Sequence, residues 1–144
     1  MSGLFIGLSY PPFPLGFFAW FGFIPLFLSL EGCNYKESLK YGYLSGITAH
    51  FIVLYWIGFN SGAGFLPVFL SLIGAVFYLS LFWGLFAITV QYFLREKTKF
   101  LWFAPLIWIT IEWFRSLGPL AFPWMDLALT QSRFIYFIQI MDVT

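Results

Sequence analysis

Between Tyr41 and Leu94 the chain carries no acidic or basic side chain. Drawn out as one helix, that stretch would extend about 81 Å at roughly 1.5 Å per residue, far beyond a bilayer, so it must fold back once. The turn is legible at Asn60, Ser61, Gly62, Ala63 and Gly64, followed by Pro67, which suits the first turn of a new helix. The pattern predicts spans near 41–59 and 66–94. Ahead of them, residues 17–30 form a shorter apolar block with Pro25 inside it, and residues 100–117 form another behind them. Residues 1–10 are apolar but meet Pro11, Pro12 and Pro14, and a last apolar run opens at Phe134. Both of these read as partial spans, as if the chain were cut at each end. Gly118, Pro119 and Pro123 prevent a regular spanning helix over 118–133. That segment is predicted to be a re-entrant or interfacial loop bordering a cavity, because irregular backbone at membrane depth must be covered by protein or lie against water. The expected fold is all-α, a polytopic transmembrane helix bundle.

Composition agrees with the pattern: 61% of residues are hydrophobic and 9% charged, against about 25% charged in soluble domains. Seven basic residues nearly cancel six acidic ones, so there is no basic face for nucleic acid. Neither a Gly-rich phosphate loop nor a metal-spaced His and Cys cluster occurs, and no cofactor or metal is expected. The single cysteine, Cys33, excludes an intrachain disulfide. No basic flank or cleavage site marks the first apolar stretch as a secretory signal. Five of the seven basic residues fall in 31–40 and 95–99, which places both connectors in the cytoplasm and 118–133 on the outer side. Small residues recur four apart at Gly3 and Gly7, Gly42 and Gly46, Ser45 and Ala49, and Ser80 and Gly84, a spacing that lets helix backbones approach closely. The many Phe, Tyr and Trp residues read as lipid contacts and interface anchors.

Against this background Glu112 and Arg115 are the costliest residues. Insertion scales charge roughly 2.5–3.5 kcal/mol for each such side chain at mid-membrane. Counted from residue 100, Glu112 lies about 18 Å along its helix and Arg115 about 22 Å. Trp108, Glu112 and Arg115 share one face, so Glu112 is expected to pair with Arg115 at i+3, while Arg115 is long enough to reach a lipid phosphate at the interface. Three uses of such a pair stay open: tying helices together, contacting a headgroup or substrate, and passing an ion or proton. His50, in mid-span, is expected to form an interhelical hydrogen bond. Asp126 and Arg133 are expected to be solvated at the outer loop.

In order along the chain stand Glu112-Trp113-Phe114-Arg115, six residues, Phe122-Pro123-Trp124, six residues, and Gln131. With Ser9-Tyr10-Pro11-Pro12-Phe13, Tyr55-Trp56-Ile57, and Ala104-Pro105 leading to Trp108, this set resembles the membrane domain of the apolipoprotein N-acyltransferase family. Two places depart from the family pattern: Leu120 and Ala121 stand where it usually has Thr-Gly, and Ala128, Leu129 and Thr130 where it has Gly-Tyr-Ser. The resemblance implies a multi-pass enzyme of the bacterial inner membrane, taking an acyl chain from a phospholipid donor and placing it on the diacylglyceryl cysteine of a lipoprotein acceptor. It implies chemistry through a Cys thioester in an outer nitrilase-like domain, absent here, so no residue of this chain is assigned a catalytic role. Alone, the chain is expected to be inactive. Glu112, Arg115, Phe122, Pro123, Trp124 and Gln131 are the candidate substrate- or lipid-binding residues. Two rival functions are a small transporter or ion pathway through Glu112, His50 and Arg115, and a membrane anchor for a polyprenol-linked glycosyltransferase.

Overall fold

Asn34 decides where the central helix begins. Its side chain accepts a hydrogen bond from the Glu37 backbone N–H at 3.0 Å, and the Glu37 carboxylate accepts one from Asn34 N–H at 3.0 Å, a reciprocal cap that satisfies two donors otherwise left without a helical partner. In the computed structural model, which describes residues 1–60, 62, 64–95, 102–134, 136 and 139, helix α3 therefore runs Tyr35–Leu54 and continues as a 3-10 turn, Tyr55–Phe59. Lys36, Glu37 and Lys40, expected in a connector over 31–40, lie on this helix, and the connector shrinks to residues 31–34.

Four further α-helices are present among the described residues: α1, Ser2–Ser9; α2, Ile24–Leu30; α4, Phe65–Arg95; and α5, Ala104–Arg115. No strand is present among those residues. Pro25 sits in the first turn of α2, where its missing N–H has no intrahelical acceptor. The apolar block over 17–30 is accordingly two pieces, the 3-10 turn Gly16–Trp20 and then α2. Gly64, at φ +76, takes the left-handed conformation that launches α4. Among the described residues, two segments are long and apolar enough to cross a membrane, Tyr35–Phe59 with mean hydropathy 1.3 and Phe65–Arg95 with 2.2. Most of the connector expected at 95–99, and most of the span expected at 134–144, fall outside the described residues.

Between helices in lipid there is little hydrophobic drive, so close van der Waals packing has to supply the cohesion. Antiparallel α3 and α4 meet through the glycines spaced four apart. A Cβ on Gly42 would come within 2.5 Å of both Ala87 Cβ and the Trp83 carbonyl oxygen, and one on Gly46 within 2.8 Å of Trp83 Cβ. Alongside α3, and running in the same direction, α1 sets Gly3 against Ser45 and Thr48, and Gly7 against Ile52. Leu54, Val76, Leu79, Trp83, Phe86 and Ala87 form the centre of the core, with Ile6 from α1 and Leu26 from α2.

Buried polar groups staple these layers, because an unpaired one in an apolar interior is costly. Ser2 Oγ accepts from Leu26 N–H at 2.7 Å, and Gln91 Nε2 donates to the Cys33 carbonyl at 2.6 Å. His50 makes the interhelical contact expected of it, with Ser80 Oγ 3.3 Å from its Nδ1. Trp108 packs edge-on against Trp83 and Phe86, while Tyr78 donates to the Leu120 carbonyl at 3.4 Å, so α5 runs antiparallel to α4. The segments near 10–16, 55–60 and 116–134 thus gather at one end of the bundle. At the opposite end lie residues 31–34, with Arg95 stacked 4.7 Å over the Tyr35 ring.

Candidate functional site

Pro105 opens α5 and the helical period then deals out its faces. Ala104, Trp108 and Arg115 are buried, and Ala104, Pro105, Trp108, Ile109 and Glu112 line a cavity of about 540 Å³, within the roughly 300–1,000 Å³ typical of small-molecule pockets. The stretch from Ala104 to Glu112 makes it about 12 Å long at ~1.5 Å per residue. Ile24 and Phe27 on the α2 side and Phe86 of α4 supply apolar wall, and Trp20, Thr130 and Gln131 line it together with Glu112. The cavity is thus an apolar trough, with polar side chains from α5 and from the segment after it.

Glu112 Oε1 accepts from Trp108 Nε1 and from the Leu127 backbone N–H, each at 2.7 Å. Oε2 makes no hydrogen bond among the described residues. Arg115 Nη2 pairs with Asp126 Oδ1 at 3.0 Å, and its carbonyl accepts from Phe122 N–H at 3.2 Å. The excursion over 116–126 is therefore clamped by Arg115 twice and by Glu112 once. This corrects the expected Glu112–Arg115 pair: the chain doubles back and presents Asp126 to the guanidinium and an N–H to Glu112, a better-matched set than the i+3 contact. Arg115 does not reach toward a lipid phosphate either, since its side chain is 3% exposed and turned onto Asp126. Asp126, expected to be solvated, is 44% exposed and ion-paired.

The Phe122-Pro123-Trp124 turn stands apart from the cavity. Trp124 stacks on Trp56 with centroids 5.1 Å apart and planes at 29°, Phe122 is half-buried beside it, and none of the three lines the cavity. The cavity wall comes instead from the next segment, the 3-10 turn Leu127–Gln131. Gly118, at φ +84, opens the loop, and Met125, at φ 70, closes it in a left-handed conformation uncommon for a side chain of its size. The Met125 carbonyl accepts from Tyr10 OH at 2.7 Å.

Gln131 works as a strut. Its Nε2 donates to the Gly16 carbonyl at 2.9 Å and to Thr130 Oγ1 at 2.8 Å, and its Oε1 accepts from Trp20 Nε1 at 3.2 Å. Arg133 Nη2 donates to the Pro12 carbonyl at 3.0 Å. These bonds join the first twenty residues to the region around 125–133, and they make Tyr10, Trp20 and Trp108 parts of the site. Reading the sequence did not single out those three as site residues. The available signal was that Tyr10 and Trp108 sit within the motifs that carry the resemblance. His50 does not line the cavity and makes no hydrogen bond to Glu112 or Arg115. Among the described residues, no three His, Cys, Asp or Glu side chains gather to hold a metal ion.

Residues 2–144 match the family model described as apolipoprotein N-acyltransferase N-terminal domain. Over its full length the chain is 31% identical to a protein named apolipoprotein N-acyltransferase from Geobacter metallireducens, and 28% identical to one of the same name from Chlorobaculum tepidum. It spans 28% and 27% of the length of these two relatives. No solved structure gives a significant match.

Proposed function

The chain belongs to the apolipoprotein N-acyltransferase N-terminal domain family, and from that premise we propose that it forms the lipid-holding platform of an enzyme of lipoprotein maturation. In this reading the whole enzyme moves an acyl chain from a phospholipid to the diacylglyceryl cysteine of a lipoprotein, at the inner membrane of a bacterium. The trough along α5 receives an acyl chain, and the reacting groups belong to a domain outside this chain. One observation carries the reading: the 540 Å³ cavity is lined almost wholly by apolar side chains and has a carboxylate at the α5 end nearest the 116–134 segment. Lys36, Lys40 and Arg95 lie at the opposite end of the bundle, which favours a cytoplasmic position for that end and an outer one for the loops.

Photo-crosslinking tests the platform. The full-length protein is placed in nanodiscs with a phospholipid carrying a diazirine at mid-chain, illuminated, and mapped by peptide mass spectrometry. Labels are expected to concentrate on Phe27, Phe86 and Ile109, and to fall when Ala128→Trp narrows the trough. If labelling is instead spread over the exposed α4 face at Phe69, Phe77, Leu81 and Leu85 and does not respond to that substitution, the platform reading is wrong.

A further inference from the structure

The end wall of the trough, Leu127–Gln131, is a short 3-10 turn at the end of an irregular loop, and what places it starts at Met125. That residue is buried and left-handed, at φ 70, a conformation that a residue with a side chain keeps only when its surroundings over-determine it. Among the described residues, two polar contacts from outside the loop reach residues 123–126. Arg115 takes the part-exposed Asp126 side chain, whereas Tyr10 OH donates to the Met125 carbonyl at 2.7 Å in the interior. Only the second grips backbone. The gripped peptide leads through Asp126 to Leu127, whose N–H lies 2.7 Å from Glu112 Oε1. The ties from Gln131 to Gly16 and Trp20, and from Arg133 to Pro12, fasten the far end of the turn. Tyr10 is itself placed by packing: it caps α1, with its N–H on the Gly7 carbonyl, and α1 is seated on α3 through Gly3 and Gly7.

We propose that Tyr10 is a positioning residue, whose hydroxyl holds Met125 in its left-handed turn and thereby lays Leu127 on Glu112 and closes the end wall over the trough. The part that concerns the trough rests on the platform reading; the hold on the loop does not. Without the hydroxyl, the Met125 carbonyl is left without its donor in an apolar surround, and the peptide gains by rotating toward water at the end of the bundle. Met125 then relaxes out of φ 70, and the Leu127 N–H leaves Glu112 with it. The ring of Tyr10 packs in the core with Ile6 and Leu54, so the two halves of the side chain have separable tasks: the ring fills space, and the hydroxyl sets the loop.

The first readout needs no lipid substrate. In the full-length protein, Tyr10→Phe keeps the ring and removes the hydroxyl. Hydrogen exchange at the Leu127 amide is expected to quicken about tenfold or more, while the α4 amides of Trp83 and Ala87 change about twofold or less. Tyr10→para-aminophenylalanine returns an N–H donor at similar reach and is expected to restore protection. The second readout uses nanodiscs and a phospholipid carrying a diazirine next to its ester. Label on Leu127 and Ala128 is expected to fall about fivefold in Tyr10→Phe and to recover in the amino variant, while a mid-chain label on Phe27 and Phe86 stays. The proposal is overturned if Leu127 exchange ignores the hydroxyl, if the amino variant behaves like Tyr10→Phe, or if label on Leu127 and Ala128 does not respond. It is also overturned if Trp83 and Ala87 lose protection in step with Leu127, which would make Tyr10 a support of the whole bundle. A failure of the platform looks different: the unsubstituted protein takes no label in the trough, and exchange at Leu127 still decides for or against Tyr10.

Discussion

Removing the exposed half of the Arg115–Asp126 pair should destabilise the protein more than removing the buried half. Asp126→Ala leaves the Arg115 guanidinium without its ion-pair partner in a site where the side chain is 3% exposed and Nε already has no hydrogen-bond partner among the described residues. Breaking a buried pair in this way costs about 3–5 kcal/mol. Because the Asp126 side is partly hydrated, the expected loss is lower, about 2–4 kcal/mol. Arg115→Met removes the buried charge, keeps a flexible stem in its place, and leaves a carboxylate that is 44% exposed and can rehydrate. The expected loss there is about 1 kcal/mol or less. The gap of roughly 2 kcal/mol is close to thirtyfold in the unfolding equilibrium. It is measured on the full-length protein in mixed micelles by titrating SDS against a lipid-like detergent, with protease cleavage within 116–126 as a local readout. The double substitution should resemble Arg115→Met alone, since no charge is then stranded. Equal losses, or a larger loss for Arg115→Met, would refute the inward-turned guanidinium and restore an Arg115 that works at the interface.

Three further outcomes follow from the same geometry. Gly42→Leu should separate α3 from α4, because even its Cβ would sit 2.5 Å from Ala87 Cβ and the Trp83 carbonyl; a loss above about 3 kcal/mol is expected, overpacking with backbone on one side being poorly relieved, and it is read by the same SDS titration. Asn34→Ala removes the side-chain half of the cap on α3 and should cost about 1 kcal/mol, with hydrogen exchange quickening over 35–38 while residues 46–54 stay protected. His50→Leu deletes a buried ring whose Nε2 has no partner among the described residues and leaves Ser80 bonded to the Val76 carbonyl, so its net effect should stay within about 1 kcal/mol; a collapse of stability would show that the histidine holds the hairpin together.

The helical hairpin was legible in the sequence for a plain reason: the stretch from Tyr41 to Leu94 has no charge and is too long for one crossing, and a Gly-rich turn divides it. The glycines spaced four apart likewise announced the α3–α4 contact, because small side chains at that spacing lie on one helix face. Local chemistry that reaches only a few residues was less visible. The Asn34–Glu37 cap begins α3 six residues ahead of the expected span, and Pro25 starts a helix where the pattern placed it inside one.

Glu112, Arg115 and Gln131 could be singled out from sequence because polar groups in an apolar segment are rare and costly, but their partners could not. Whether Arg115 meets Glu112 or Asp126 depends on how residues 116–126 return to the helix. Whether a hollow lies beside Trp124 or beside Glu112 depends on where the 3-10 turns Gly16–Trp20 and Leu127–Gln131 meet, through bonds between residues more than a hundred positions apart. Periodicity and spacing report the face of a single helix. Contacts made by irregular segments carry no such period, and only the folded chain brings Tyr10 to Met125 or leaves one oxygen of Glu112 without a hydrogen bond among the described residues.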